Sequence, residues 1–324
     1  MNPSRGSVAI VAAASACALM LAGCSSSSSS SGAGKKSITF IQGVTGDEFY
    51  ITMQCSVQAQ AKKEGATVTT QGPTKFDPTL QKPIVDSVVA SKPSAILIAP
   101  TDAAAMQAPL KAAAAAGIKI VLVDTTLEDP SLAVSQISSD NAGGGAEAFR
   151  TIKQLHPGGG KVLVVSTDPG ITTADARVDG FKNAAAQDSS YRYLGVQYSH
   201  NEPAQAAKII TAALAKDPDI VGVFATATYA AEGVSTGIQQ AGKVNQVKVV
   251  GFDAGPQQVE QLRKGTVQAL VAQDPGTIGS DGVQQAIAAI DGRATEAKIS
   301  TGFHVITKDN IDGEGKQWIY KASC

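Results

Sequence analysis

Short runs of β-branched and aliphatic residues alternate along this chain with longer Ala-rich stretches of helical period. Residues 37–41, 67–71, 95–99 and 118–123 read as strands, and the pattern between them predicts helices over 49–64, 78–90 and 103–116. Asp77 precedes Pro78 and Asp102 precedes Ala103, each placed to accept from the free N–H groups of a first turn. Gly65 and Gly117 end two of these helices. Strands that are apolar on both faces, alternating with helices, predict a parallel sheet covered on both sides.

A second series follows residues 135–140. Strands are expected over 161–165, 193–198, 220–224, 247–252 and 267–271, with helices over 147–155, 175–186, 204–215, 229–241 and 257–264. A helix over 277–290 and a short strand over 303–306 lead into the tail. The fold class expected is α/β, with two doubly wound parallel-sheet lobes. The repeat is one of architecture and not of sequence. Ligands of open α/β sheets sit beyond the carboxyl ends of the strands, so two facing lobes would gather those ends around one pocket.

The N-terminus adds a destination. Arg5 precedes an apolar run from Val8 to Leu21, shorter than the roughly 20 residues of a membrane span, which reads as a secretory leader. It ends in Leu21-Ala22-Gly23-Cys24, which resembles a bacterial lipobox. That resemblance implies that Cys24 becomes the first mature residue and carries lipid, anchoring the chain to the outer face of the cell membrane. Ser25 to Ser31 and Gly32-Ala33-Gly34 form a flexible linker with nothing to bury.

Removing 1–23 leaves 301 residues, more than one core usually covers. The expected organisation is leader 1–23, lipidated Cys and linker 24–36, N-terminal lobe 37–139 plus 274–300, and C-terminal lobe and tail 140–273 plus 301–324. Without Arg5 the chain carries 26 Lys and Arg against 28 Asp and Glu. No basic concentration suggests nucleic acid, and no second segment suggests a membrane span. Cys17 leaves with the leader and Cys24 takes lipid, so Cys55 and Cys324 remain. In an exported chain a disulfide between them would tie the last residue to the first helix.

Strand ends carry the chemistry. They read Gly43-Val44-Thr45-Gly46-Asp47-Glu48-Phe49-Tyr50, Ala99-Pro100-Thr101-Asp102, Leu122-Val123-Asp124-Thr125-Thr126, Ser139-Asp140-Asn141, Val250-Gly251-Phe252-Asp253 and Val271-Ala272-Gln273-Asp274-Pro275. In order and spacing these resemble the ribose-binding-protein-like, type I periplasmic binding proteins, from Ser37 to about Lys308. The resemblance implies two lobes joined by a three-crossing hinge near 139–140, 273–274 and 300–302. It implies a small sugar or sugar alcohol as ligand, and an ABC permease with its ATPase as partner. It implies no enzyme activity, cofactor or metal, and a monomer is expected.

By position the resemblance places an aromatic pair at Phe49 and Tyr50, acids at Asp124 and Asp253, and an amide at Gln273. Aromatic rings pack against the C–H faces of a sugar, carboxylates accept hydroxyl protons, and an amide offers both donor and acceptor. Asp47 and Arg177 join the candidate set. Thr125 and Asp175 stand where ribose binders place Arg, Asn201 stands near an expected third aromatic, and Thr228 closes a stretch that replaces an amide-bearing one. Two cations and a stacking ring are thus missing, which points away from ribose. Tyr198 and His200 are candidates for compensating contacts.

Other readings compete. A ligand-sensing lipoprotein would share the same fold and pocket. Gly233-Val234-Ser235-Thr236-Gly237 matches a nucleophile elbow in letters, but lies inside an expected helix. Asn141-Ala142-Gly143-Gly144-Gly145 opens a helix and is read as close packing. The effector half of a transcription regulator shares the fold, but the leader argues against it.

Overall fold

A computed structural model describes residues 36–324, and the expectations for the leader, Cys24 and the linker lie outside them. The first lobe is built on strands β1 (Ser37–Ile41), β2 (Thr67–Gln71), β3 (Ala95–Ile98), β4 (Lys119–Val123) and β5 (Ser135–Ser139). Helices α1 (Glu48–Lys63), α2 (Pro78–Ser91) and α3 (Gln107–Ala115) connect them. The second lobe holds β6 (Gly160–Ser166), β7 (Tyr191–Tyr198), β8 (Ile220–Ala225), β9 (Lys248–Phe252) and β10 (Ala269–Gln273). Its helices are α4 (Asn141–Leu155), α5 (Thr172–Ala185), α6 (Pro203–Lys216), α7 (Thr228–Gln240) and α8 (Pro256–Lys264). Helix α9 (Pro275–Ile290) and strands β11 (Lys298–Thr301) and β12 (Phe303–Thr307) follow.

The first sheet runs β11-β5-β4-β3-β1-β2 and the second β12-β10-β9-β8-β6-β7. All pairings are parallel except β12 on β10. Both lobes therefore share one doubly wound order, with a late strand added at the edge. Central strands such as β3 are buried throughout, whereas edge strand β2 alternates exposed and half-buried positions. That difference is what helices on both faces of the centre and solvent at the edge produce.

The chain passes between the sheets from β5 into α4, from β10 into α9, and from β11 into β12. Ser139 and Gln273, at the first two passages, are joined by Ser139 Oγ donating to Gln273 Oε1 at 2.8 Å. The tail makes a fourth passage. Tyr320 N–H donates to Ala254 O in the second lobe, and Lys321 N–H donates to Thr52 Oγ1 on α1 in the first. Cys324 is then bonded to Cys55 of α1. A link across 269 residues removes about 5–6 kcal/mol of unfolded-chain entropy on the loop-closure argument.

Several boundaries differ from expectation. The third helix begins at Gln107, not Ala103, because Asp102 Oδ1 accepts from Ala104 and Ala105 N–H and holds a separate turn ahead of it. The fourth begins at Asn141, not residue 147, capped by Asp140 Oδ1 on Gly143 N–H. Its glycines are required by packing. A Cβ on Gly145 would lie 2.0 Å from Arg177 O, and one on Gly180 2.0 Å from Ala142 O, so α4 and α5 touch backbone to backbone. Residues 298–301, where the sequence pattern gives no strand, form β11 and complete the first sheet, and the chain leaves that sheet within the expected passage near 300–302. Strand β10 runs two residues later than expected, ending on Gln273.

Candidate functional site

Asp124 follows β4 and Asp253 follows β9, at corresponding strand ends of the two sheets. Both are buried and both take left-handed backbone, with φ of 63° and 75°. This region is costly for a residue with a side chain, and such strain concentrates at functional positions. The turns aim both carboxylates into one cleft between the lobes. Neither caps a helix, the alternative that their sequence position leaves open.

The first lobe lines this cleft with Val44, Asp47, Phe49, Tyr50, Phe76 and Asp124. From the second come Thr167, Ile171, Thr173, Arg177, Asn201 and Asp253, with Gln273 at a passage between the lobes. Tyr50 Oη donates to Asp124 Oδ2 at 2.7 Å, and its ring meets Phe49 edge-on at 5.1 Å. Both of the expected aromatic pair thus reach the cleft while remaining buried. Phe76, from the loop before α2, adds a third ring that sequence reasoning missed. Gly43 makes room for it: a Cβ there would lie 2.4 Å from both Phe76 Cε2 and Tyr50 Oη. A Gly at a strand end before an aromatic pair is the only trace of this in the sequence.

Arg177 is the buried cation of the cleft. Its Nε donates to Asn141 Oδ1 and one terminal nitrogen donates to Thr226 O, both at 2.8 Å. The guanidinium carbon lies over the Phe252 ring, 3.8 Å from the centroid. A planar fork held on three sides in this way has a fixed direction. Asp253 Oδ1 accepts from Gln273 Nε2 at 2.7 Å and from Tyr320 Oη at 3.0 Å. The Gln273 side chain therefore spans Ser139 and Asp253, besides lining the cavity. Thr167 Oγ1 is buried with no hydrogen-bond partner within the described residues. A buried hydroxyl left this way facing a cavity suits a polar ligand.

Three expected site residues do not line the cleft. Thr125 Oγ1 turns back to Pro100 O at 2.7 Å. Asp175 accepts from Gly170 N–H and faces a separate surface hollow with Asp179, Tyr193 and Tyr198. Helix geometry explains this, since Arg177 two positions on points to the opposite side. Thr228 lies behind the cleft, its hydroxyl 3.4 Å from Asp253 Oδ2. Of the compensating candidates, Tyr198 faces that same hollow, and exposed His200 pairs with Asp168 at 2.5 Å. Ser235 is fully buried inside α7 and donates to Thr266 Oγ1, which rules out a nucleophile elbow.

The electrostatics are acidic. Burial first, then the facing Asp253, pushes the Asp47 carboxyl up to about 8, although its Oδ1 accepts from Phe49 N–H. Burial pushes Asp124 up to about 6, against the pull of Arg177 and the Tyr50 hydroxyl. Burial and then the Asp124 charge hold Tyr50 well above the ordinary phenol range, so it stays a donor. The lobes also touch directly. Thr126 N–H donates to Thr172 Oγ1 at 3.1 Å, and Lys75 Nζ meets Glu202 Oε1 at 3.0 Å. Deeper in, burial and the nearby Glu48 push Glu232 up to about 7.

Known proteins match this architecture. Residues 38–294 match the family described as periplasmic binding protein domain. The ribose import binding protein of Escherichia coli (strain K12) is 27% identical over 274 residues, 85% of this chain and 91% of that one. An ABC transporter solute-binding protein from Agrobacterium vitis, solved with alpha-D-tagatopyranose, superposes with a TM-score of 0.87 at 39% identity. That alignment covers 89% of this chain and all of the other. A second protein from Agrobacterium vitis, solved with D-fucose, gives 0.84 at 30% identity over 88% of this chain and all of its own. With two lobes of one strand order and a cleft at their shared strand ends, this chain belongs to the periplasmic binding protein family, in its type I form.

Proposed function

We propose that this chain is an extracytoplasmic receptor that captures a monosaccharide, or the related sugar alcohol, between its lobes and delivers it to an ABC importer. One observation carries the reading: Asp124 and Asp253 enter one cleft from opposite lobes, beside three aromatic rings and a fixed Arg177. A pyranose presents hydroxyls at its rim and C–H groups on its faces, and such a cleft offers acceptors, a donor fork and apolar planes. The tagatose-bound relative at 39% identity makes a ketohexose pyranose the first ligand to try. In this reading Asp124, Asp253 and Arg177 take hydroxyls, Phe49, Tyr50 and Phe76 flank the ring, and Thr167 adds a further polar contact.

The lobes, 37–139 with 274–300 and 140–273 with 301–320, turn about the passages between the sheets, and the last residues, 321–324, are fastened to the first lobe. A ligand that touches both lobes binds the closed arrangement better, and so shifts the population toward it. The permease would recognise that arrangement of a monomer held near the membrane by lipid on Cys24. The disulfide suits such an oxidising location.

The test is a thermal-shift screen of residues 25–324 against D-tagatose, D-fucose, D-ribose and four- to six-carbon sugar alcohols. Ligand at 100 times its Kd should add about 2.7 kcal/mol of stability. Asp253→Ala should abolish the shift and leave the protein folded. A panel with no shift on folded, ligand-free protein would overturn the reading. Metabolic labelling with a fatty acid, lost in Cys24→Ala, tests the anchor.

A further inference from the structure

Tyr320 differs from the other side chains bonded to Asp253, Gln273 on β10 and Thr228 on α7, because neither sheet nor any α-helix carries it. It sits in the tail, four residues before the disulfide-bonded Cys324. Its hydroxyl accepts from Gln273 N–H at 2.9 Å and donates to Asp253 Oδ1 at 3.0 Å. Burial and the Asp253 charge hold this phenol well above its ordinary range, which keeps the proton on oxygen for donation. Its ring stands 6.0 Å from that of Phe49, on α1. One residue on, the chain is already fastened to α1 through Thr52. The carboxylate of one lobe is thus oriented by a segment whose anchor lies in the other. With Oδ1 occupied by Gln273 and Tyr320, it is Oδ2 that remains for a ligand, its one neighbouring donor among the described residues being the distant Thr228 hydroxyl.

We infer that Tyr320 is a positioning residue for Asp253, and that the Cys55–Cys324 disulfide, by holding the tail in place, couples ligand affinity to its own redox state. The inference rests on the reading of Asp253 as a ligand-binding acid. Reduction by a dithiol breaks the sulfur–sulfur bond. One thiolate of the reagent displaces a cysteine sulfur, and its second thiolate closes the reagent into a cyclic disulfide. Two electrons and two protons pass to Cys55 and Cys324, which become thiols. The tail is then held by Thr52 and its packing alone, and Tyr320 loses its fixed direction. Coupling is reciprocal: if the disulfide form binds sugar more tightly, bound sugar must make the disulfide harder to reduce.

The experiment uses the purified protein and whichever of D-tagatose, D-fucose and D-ribose binds most tightly by calorimetry. Tyr320→Phe, with the disulfide intact, is expected to remain folded by circular dichroism and to bind about tenfold more weakly. The Cys55→Ser, Cys324→Ser double variant should weaken binding similarly. Adding Tyr320→Phe to it should cost less than in the wild type, because both changes act through one hydroxyl. A dithiol redox titration supplies a readout that a plain brace would not move. Saturating sugar should lower the midpoint by about 30 mV for each tenfold difference in affinity, and by less in Tyr320→Phe. Wild-type protein that binds none of the sugars overturns the reading of the site and this inference with it. Wild-type binding matched by Tyr320→Phe, with a midpoint that ignores sugar, overturns this inference alone. Should reduction unfold the protein, an unchanged Kd in Tyr320→Phe is by itself enough to overturn it.

Discussion

Lys75 of the first lobe and Glu202 of the second meet at 3.0 Å at the cleft mouth, both with more than half of their side-chain surface in solvent. An exposed pair of this kind contributes at most about 1 kcal/mol, and salt screens it. Lys75→Ala is therefore expected to weaken sugar binding by no more than about fivefold at low salt. The difference should vanish near 0.5 M salt, where the Debye length is only about 4–5 Å. Calorimetric titrations at two salt concentrations check this. A large, salt-independent loss would mean that Lys75 touches the ligand.

Arg177→Lys keeps the charge and loses the fork. Asn141 Oδ1 and Thr226 O each lose a donor, and Phe252 loses the guanidinium over its ring. The expected cost is about 2–3 kcal/mol of stability by urea denaturation, with sugar affinity reduced at least tenfold. Retention of both would show that a buried point charge is all the site needs.

Gly180→Ala tests the helix contact that sets the position of Arg177. Its new Cβ would sit 2.0 Å from Ala142 O, so α5 must retreat from α4. Overpacking of this kind costs about 1–3 kcal/mol. Because Arg177 rides on α5, affinity should fall along with stability. Denaturation and binding measured on one preparation separate the two effects.

Raising the pH should open the lobes. Asp47, raised to about 8 and facing Asp253, and Glu232, raised to about 7 and facing Glu48, each hold a proton in the closed arrangement that solvent exposure would release. Closure therefore takes up protons above about pH 4, and its stabilisation is lost as pH rises through about 7 to 8. Small-angle scattering of the sugar-free protein should show a larger radius of gyration at pH 8.5 than at pH 5.5. Asp47→Asn should shrink the difference. Equal radii at both pH values in the wild type would refute it.

The alternation of strands and helices made both lobes legible, because a buried parallel strand has few ways to be written. The site acids were legible for a related reason, since a carboxylate at a buried strand end requires a partner. Elements lacking that pattern were not. Lys298–Thr301 is half exposed and polar at an edge, and shows its strand character only through pairing with β5. Phe76 reaches the cleft from a loop, and Tyr320 reaches Asp253 from a tail, along paths that no periodicity describes. Asp175 and Arg177 looked equally eligible by position, and only the rotation of α5 separates them.

The edge strands carry one more consequence. β11 and α9 complete the first lobe, yet their residues follow all of β6 to β10 in the chain. A polypeptide made from its N-terminus cannot finish its first lobe until nearly all of its second has emerged. Such long-range pairing is slow to form, because distant segments must meet before any contact rewards them. Vectorial synthesis thus yields a chain that commits late to its native state. That delay would suit the proposed extracytoplasmic receptor if it is exported before it folds.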